Sequence, residues 1–160
     1  MKGYQAVFSI GLFALCICAA NAEVVNFKNC PGEAKCTFNE VAISPCPEAA
    51  EGRTCTVYRG SNISITFDFT PEFNANVLTA DVSWTQPAFD LPFIGMDTEA
   101  CKHTACPAQS GKRQTYVYEL PIKKSYPPKH YDVKWKLTSE NNDTCCMIVQ
   151  INITKKTKHT

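Results

Sequence analysis

The sequence predicts an all-β fold, an antiparallel sandwich of two sheets around one core. Three observations lead there. Apolar and polar residues alternate with a period of two in several windows, Pro- and Gly-rich clusters separate those windows, and no stretch carries a convincing helical repeat. Alternation sends successive side chains to opposite faces of a strand, so each window buries one face and wets the other. Short strands of that kind are stable when two sheets cover each other's apolar faces.

Three windows are sharpest. In 62–70 (NISITFDFT), Ile63, Ile65, Phe67 and Phe69 alternate with Ser64, Thr66, Asp68 and Thr70. In 131–138 (YDVKWKLT), Val133, Trp135 and Leu137 alternate with Asp132, Lys134 and Lys136. In 145–153 (CCMIVQINI), Met147, Val149, Ile151 and Ile153 share a face. Weaker windows at 24–29, 37–43, 54–59, 76–85 and 114–119 bring the expectation to about eight strands.

The connections are 44–52 (SPCPEAAEG), 86–96 (QPAFDLPFIGM) and 120–128 (LPIKKSYPP). Two are unusual. The 86–96 segment carries Phe89, Leu91, Phe93, Ile94 and Met96, so it either folds over the end of the core or forms a hydrophobic lip around a cavity. The 120–128 segment cannot be a central strand, because its three prolines lack backbone donors. It nevertheless places Ile122 and Tyr126, both large and apolar, beside Lys123 and Lys124.

The first residues read as a secretory leader over 1–22. Lys2 precedes an apolar run, and Ala20-Asn21-Ala22 supplies a small-residue cleavage site. The remainder, 23–160, has the length of one domain. Losing Lys2 brings the 16 basic residues level with the 15 acidic ones, a balance that does not suggest a nucleic-acid binder. Cys16 and Cys18 leave with the leader. The eight that stay (Cys30, Cys36, Cys46, Cys55, Cys101, Cys106, Cys145 and Cys146) form an even set, which in an exported chain reads as a disulfide framework whose connectivity sequence cannot fix. Sequons at Asn62, Asn142 and Asn152 suit export as glycosylation sites.

Catalysis finds little support. His103, His130 and His159 belong to no metal or nucleophile motif, and no Gly-rich phosphate loop is present. The expectation is a protein without enzyme activity, metal or cofactor.

A set of ordered markers carries a family resemblance: VNFKNC (25–30), NEVAISPCP (39–47), Cys55 followed by Arg59-Gly60, GMDTEACKHTACP (95–107), TYVYELPIKKSYP (115–127), VKWKL (133–137) and CCMIVQINI (145–153). With them the chain resembles the ML-domain lipid-recognition proteins, above all the Niemann–Pick type C sterol carriers and their arthropod relatives, including group-two mite allergens. The resemblance implies an immunoglobulin-like sandwich whose sheets splay to hold a lipid between them. It places Phe93, Ile122 and Tyr126 at the entrance, with the inward residues Phe67, Trp135 and Val149 as deeper ligand-binding walls. The isoleucine at 122 stands where the sterol carriers have valine.

The resemblance also implies disulfides Cys30–Cys146, Cys46–Cys55 and Cys101–Cys106. Cys36 and Cys145 are additional and are expected to pair with each other, although the neighbouring Cys145 and Cys146 leave the reverse assignment open. The implied function is a secreted, extracellular carrier of a sterol or fatty-acid-like lipid, with the lysosome as the alternative destination. A membrane surface, transporter or receptor would be the partner, and the chain is expected to act as a monomer. Carriage of fatty acids or semiochemicals, and presentation of microbial lipid in immune recognition, are the alternative roles.

Overall fold

The computed structural model describes residues 23–32 and 35–156. The leader, with Cys16 and Cys18, and His159 in the tail fall outside the described residues. Among the described residues nine strands follow in order: β1 (Phe27–Asn29), β2 (Cys36–Ser44), β3 (Cys55–Tyr58), β4 (Asn62–Pro71), β5 (Leu78–Thr85), β6 (Asp90–Pro92), β7 (Gln114–Pro121), β8 (His130–Ser139) and β9 (Thr144–Thr154). Two short 3-10 turns, Pro47–Glu51 and Ala100–Lys102, interrupt them.

They form two sheets. The larger runs β1-β9-β8-β5-β6 with β3 also paired to β9, and the smaller runs β2-β4-β7. All pairs are antiparallel except β3 with β9, which is parallel. The strict alternation in β4, β8 and β9 has its expected result. Ile63, Ile65, Phe67 and Phe69, then Val133, Trp135 and Leu137, then Met147, Val149, Ile151 and Ile153 are all buried, while their neighbours, the disulfide-bonded Cys146 excepted, stay partly or fully exposed.

The same alternation separates the vicinal cysteines. Cys145 turns into the core, whereas Cys146 lies on the opposite face and lines an outer groove. Cys145 is bonded to Cys36 and Cys146 to Cys30, with Cys46–Cys55 and Cys101–Cys106 completing four bridges.

Two sequence expectations change. The 24–29 window is not one strand: Val24 bridges Ala42 in the smaller sheet, and the chain then crosses to pair Phe27–Asn29 with β9. The proline-flanked 86–96 connection contains β6, whose three residues pair with the end of β5.

Candidate functional site

The two sheets are joined differently along their two long margins. On one margin β2 lies over β9 and β3, and the link is covalent. Cys36 at the start of β2 is bonded to Cys145 in β9, and Cys46 just past β2 is bonded to Cys55 in β3. The 23–29 segment adds backbone bonds there, from Val25 N to Val41 O and from Ile43 N to Glu23 O. On the opposite margin β7 faces β5 and β6. One end of it is bridged by the 97–106 segment, which bonds to β5 through Ala80 N and Thr98 O and to β7 through Val117 N and His103 O. At the other end the sheets meet through side chains, and this is where the expected entrance residues converge.

Phe93 directly follows β6. Its amide donates to Val82 O at 2.8 Å, and that extra pairing turns its ring inward while Ile94 and Phe89 stay exposed. Ile122 follows Pro121 and pairs outside the sheet proper, donating to Ser61 O at 2.8 Å and accepting from Gly60 N at 2.6 Å. Gly60 suits this turn. Its φ is +81°, a conformation L side chains rarely adopt, and the Lys124 chain that a Cβ would approach at 3.0 Å is exposed and can yield, so the backbone is what favours glycine. Tyr126 closes a turn onto Lys123 O, and its carbonyl accepts from the Arg59 guanidinium at 3.4 Å. The Tyr131 hydroxyl donates to Pro127 O at 2.7 Å and so anchors the proline pair.

The rings interlock. Phe93 and Tyr126 stand edge to face at 5.3 Å, and Trp84 contacts Phe93 at 5.7 Å, Tyr126 at 6.0 Å and Tyr131 at 5.1 Å. Such perpendicular pairs match the positive edge of one ring to the negative face of the next. Lys129 Nζ lies over Tyr131 at 5.0 Å and over Trp84 at 5.6 Å, a cation on the outer side of the cluster. Burial pushes the Tyr126 and Tyr131 hydroxyls up from the ordinary phenol range, so both stay neutral donors at physiological pH.

Behind this mouth the interior is aromatic. Phe67 stacks on Tyr116 at 4.8 Å, and Trp135 from the other sheet meets Phe67 at 6.1 Å, Tyr116 at 5.8 Å and Tyr118 at 5.6 Å. Val149 shares the inner face at the level of Trp84 and Val133 but lies across the sheet from the mouth, between Val133 and Phe27 in the ladder.

Phe93 and Tyr126 therefore meet, with Ile122 buried in the same core cluster, and they form a closed end: the three are 4%, 1% and 7% exposed. The open portal expected from the proline-rich segment is not the form this structure takes, because the rings fill it. Two open concavities lie elsewhere and include none of the three residues. One, of ≈ 490 Å³, is on the outer face of the larger sheet by Asp81, Ser83, Asp90, Lys134 and Lys136. The other, of ≈ 680 Å³, is beside His130, Asn152 and Lys155.

Trp84, Tyr131, Tyr116 and Tyr118 were not among the expected site residues. Parity could have found Tyr131, which shares the odd-numbered face of Val133 and Trp135. Of the sequons, Asn62 and Asn142 are exposed, whereas Asn152 lies within β9 with its side chain bonded to His130 Nδ1 at 3.0 Å.

The fold and this end of it define a class: a disulfide-spined β-sandwich with an apolar interior and one ring-closed end. The chain belongs to the ML-domain family, whose model matches residues 24–153. It is 38% identical over 149 residues to an MD-2-related lipid-recognition protein of Manduca sexta, covering 90% of this chain and 95% of that one. It is 33% identical over 132 residues to the NPC intracellular cholesterol transporter 2 of Bos taurus, covering 82% and 85%. Among solved structures, a Niemann-Pick type C2 protein from the Japanese carpenter ant superposes with a TM-score of 0.70 at 22% identity, covering 81% of this chain and 99% of that one, and so shares the fold.

Proposed function

We propose that this protein is a secreted, soluble lipid carrier that takes one sterol or similarly elongated apolar molecule between its sheets through the Phe93–Ile122–Tyr126 end. The carrying observation is the asymmetry of closure. One margin is held by disulfides, and the far end of the other by backbone bonds, but the near end is held by side chains: ring contacts, the Arg59 guanidinium on Tyr126 O and the Tyr131 hydroxyl on Pro127 O, all of which can part without breaking the ladder. Relatives named for lipid recognition and cholesterol transport favour the same reading.

The mechanism is burial without chemistry. A ligand hiding ~400–500 Å² of apolar surface gains about 10–12 kcal/mol at ~25 cal/mol per Å². Association and ordering subtract several kcal/mol, which leaves affinities around micromolar or somewhat tighter. Lys123, Lys124 and Lys129 border the mouth, where a polar ligand end or an anionic membrane would meet them. Four disulfides suit an oxidising compartment, so release into the extracellular space or delivery to lysosomes accords with the carrier reading.

Ile122→Trp tests the route. Ile122 is 1% exposed, so the larger ring must occupy the passage or displace its neighbours, at about 1–3 kcal/mol in stability. Uptake of a fluorescent sterol and a fluorescent fatty acid should be lost while circular dichroism still reports a folded sandwich. Full uptake by the folded variant would refute entry at this end.

A further inference from the structure

The middle of the interior holds two hydrogen-bond donors that the fold does not use. The Tyr116 hydroxyl on β7 and the Trp135 indole Nε1 on β8 are buried, come from opposite sheets, and have no hydrogen-bond partner among the described residues. Their rings lie 5.8 Å apart. Burial pushes the Tyr116 hydroxyl well above the ordinary phenol range, so it stays protonated; the indole N–H acts weakly the other way as a neighbouring donor, yet the two do not meet at full hydrogen-bond distance and angle. The indole nitrogen can only donate, and the phenol can donate as well. Phenylalanine at 116 would fill much the same space without burying an unpaired hydroxyl, and an unpaired indole N–H carries a desolvation cost of the same kind, so these polar atoms weaken a purely apolar interior.

We infer that the bound molecule carries a neutral acceptor oxygen at its inner end, held between the Tyr116 hydroxyl and the Trp135 N–H. This rests on the carrier reading. The surroundings select a neutral oxygen over a carboxylate. Phe67 stacks on Tyr116, and the His103 ring lies 5.7 Å from Tyr116 with its Nε2 buried, not hydrogen-bonded, and 3.9 Å from Asp97 Oδ2. An anion placed there would be desolvated among aromatic walls, and the one imidazole nearby already faces the Asp97 carboxylate. The other end of the ligand lies at the mouth, where Lys123, Lys124 and Lys129 meet water. The ligand class is therefore an elongated apolar molecule oxygenated at both ends, such as a sterol hydroxylated at its side-chain tip or an ω-hydroxy or ω-keto fatty acid.

The test uses the disulfide-intact protein and two matched probe pairs: cholesterol with its side-chain-terminal hydroxy derivative, and palmitate with ω-hydroxypalmitate. Each competes against a fluorescent ligand. The ω-oxygenated member should bind roughly tenfold tighter than its parent, the scale of a buried donor gaining its partner. Tyr116→Phe should shrink that preference to within about threefold. Equal or tighter binding of the parents to the wild type overturns the inference while leaving the carrier reading intact. So does a preference that survives Tyr116→Phe. If none of the four probes binds, the carrier reading itself fails, and the inference with it.

Discussion

Tyr126→Ala isolates the closed end of the sandwich. Tyr126 is 7% exposed and holds two ring contacts there, with Phe93 at 5.3 Å and with Trp84 at 6.0 Å. Each aromatic pair contributes about 0.5–1.5 kcal/mol beyond its area, so the closed state loses roughly 1–3 kcal/mol against the open one. That moves the opening equilibrium by about 5- to 150-fold. If opening gates exchange, transfer of a fluorescent sterol from the protein to vesicles should quicken by a factor in that range, read by stopped-flow energy transfer. Tyr126→Phe keeps both ring contacts and removes only the hydroxyl's hydrogen bond with the Ile94 backbone, so it should exchange more slowly than Tyr126→Ala and nearer the wild-type rate. The truncated side chain also lowers global stability, by less than the full cost of a central aromatic deletion because a rim site relaxes. Folding is therefore checked by near-ultraviolet circular dichroism. Exchange by folded Tyr126→Ala within twofold of wild type would refute ring gating at this end.

Other expectations follow from the same structure. Cys36→Ser with Cys145→Ser leaves Cys30–Cys146 closing nearly the same long loop, since Cys36 lies six residues from Cys30 and Cys145 is next to Cys146. The chain-entropy loss is then that of a short loop, roughly 2 kcal/mol rather than the ~4–5 of an isolated long link, and urea denaturation would show which holds. Asp68 accepts from Thr115 Oγ1 and from Arg113, and these bonds hold its carboxyl below the ordinary range against the opposing effect of burial. Its contribution, about 1 kcal/mol, is present above the ordinary carboxylate range and lost as pH falls through the lowered folded value. Asp68→Asn should flatten the loss of stability on acidification, and an unchanged acid limb would count against it. Glycans are expected at the exposed Asn62 and Asn142 but not at Asn152 within β9. Endoglycosidase digestion of single Asn→Gln variants expressed through the secretory pathway would disprove this if Asn152→Gln removed a glycan.

Much of the fold was legible because its strongest determinant is local. Strands β4, β8 and β9 bury one face each, and the burden of keeping Phe67, Trp135 and Val149 dry enforces a period of two that sequence displays directly. What escaped was non-local. The crossing of residues 24–29 from one sheet to the other leaves no trace in periodicity, because Val24 and Phe27 satisfy different partners. The parallel pairing of β3 with β9 depends on which strand lies beside it, not on its own four residues. At the site, the family markers named Phe93, Ile122 and Tyr126, while the rings that close over them come from β5 and β8. Trp84 was hidden in a weak window, and its role depends on β6 pairing with the end of β5. The two unpaired donors of the interior were invisible for a related reason: Tyr116 and Trp135 read as ordinary inward aromatics until the opposite sheets bring them together.

The most direct test of the carrier account is native mass spectrometry of the secreted protein, followed by organic extraction of what it carries. The account predicts one lipid per chain, or an empty chain that takes up one equivalent of sterol or fatty acid on addition. A protein that emerges empty and refuses both would contradict it.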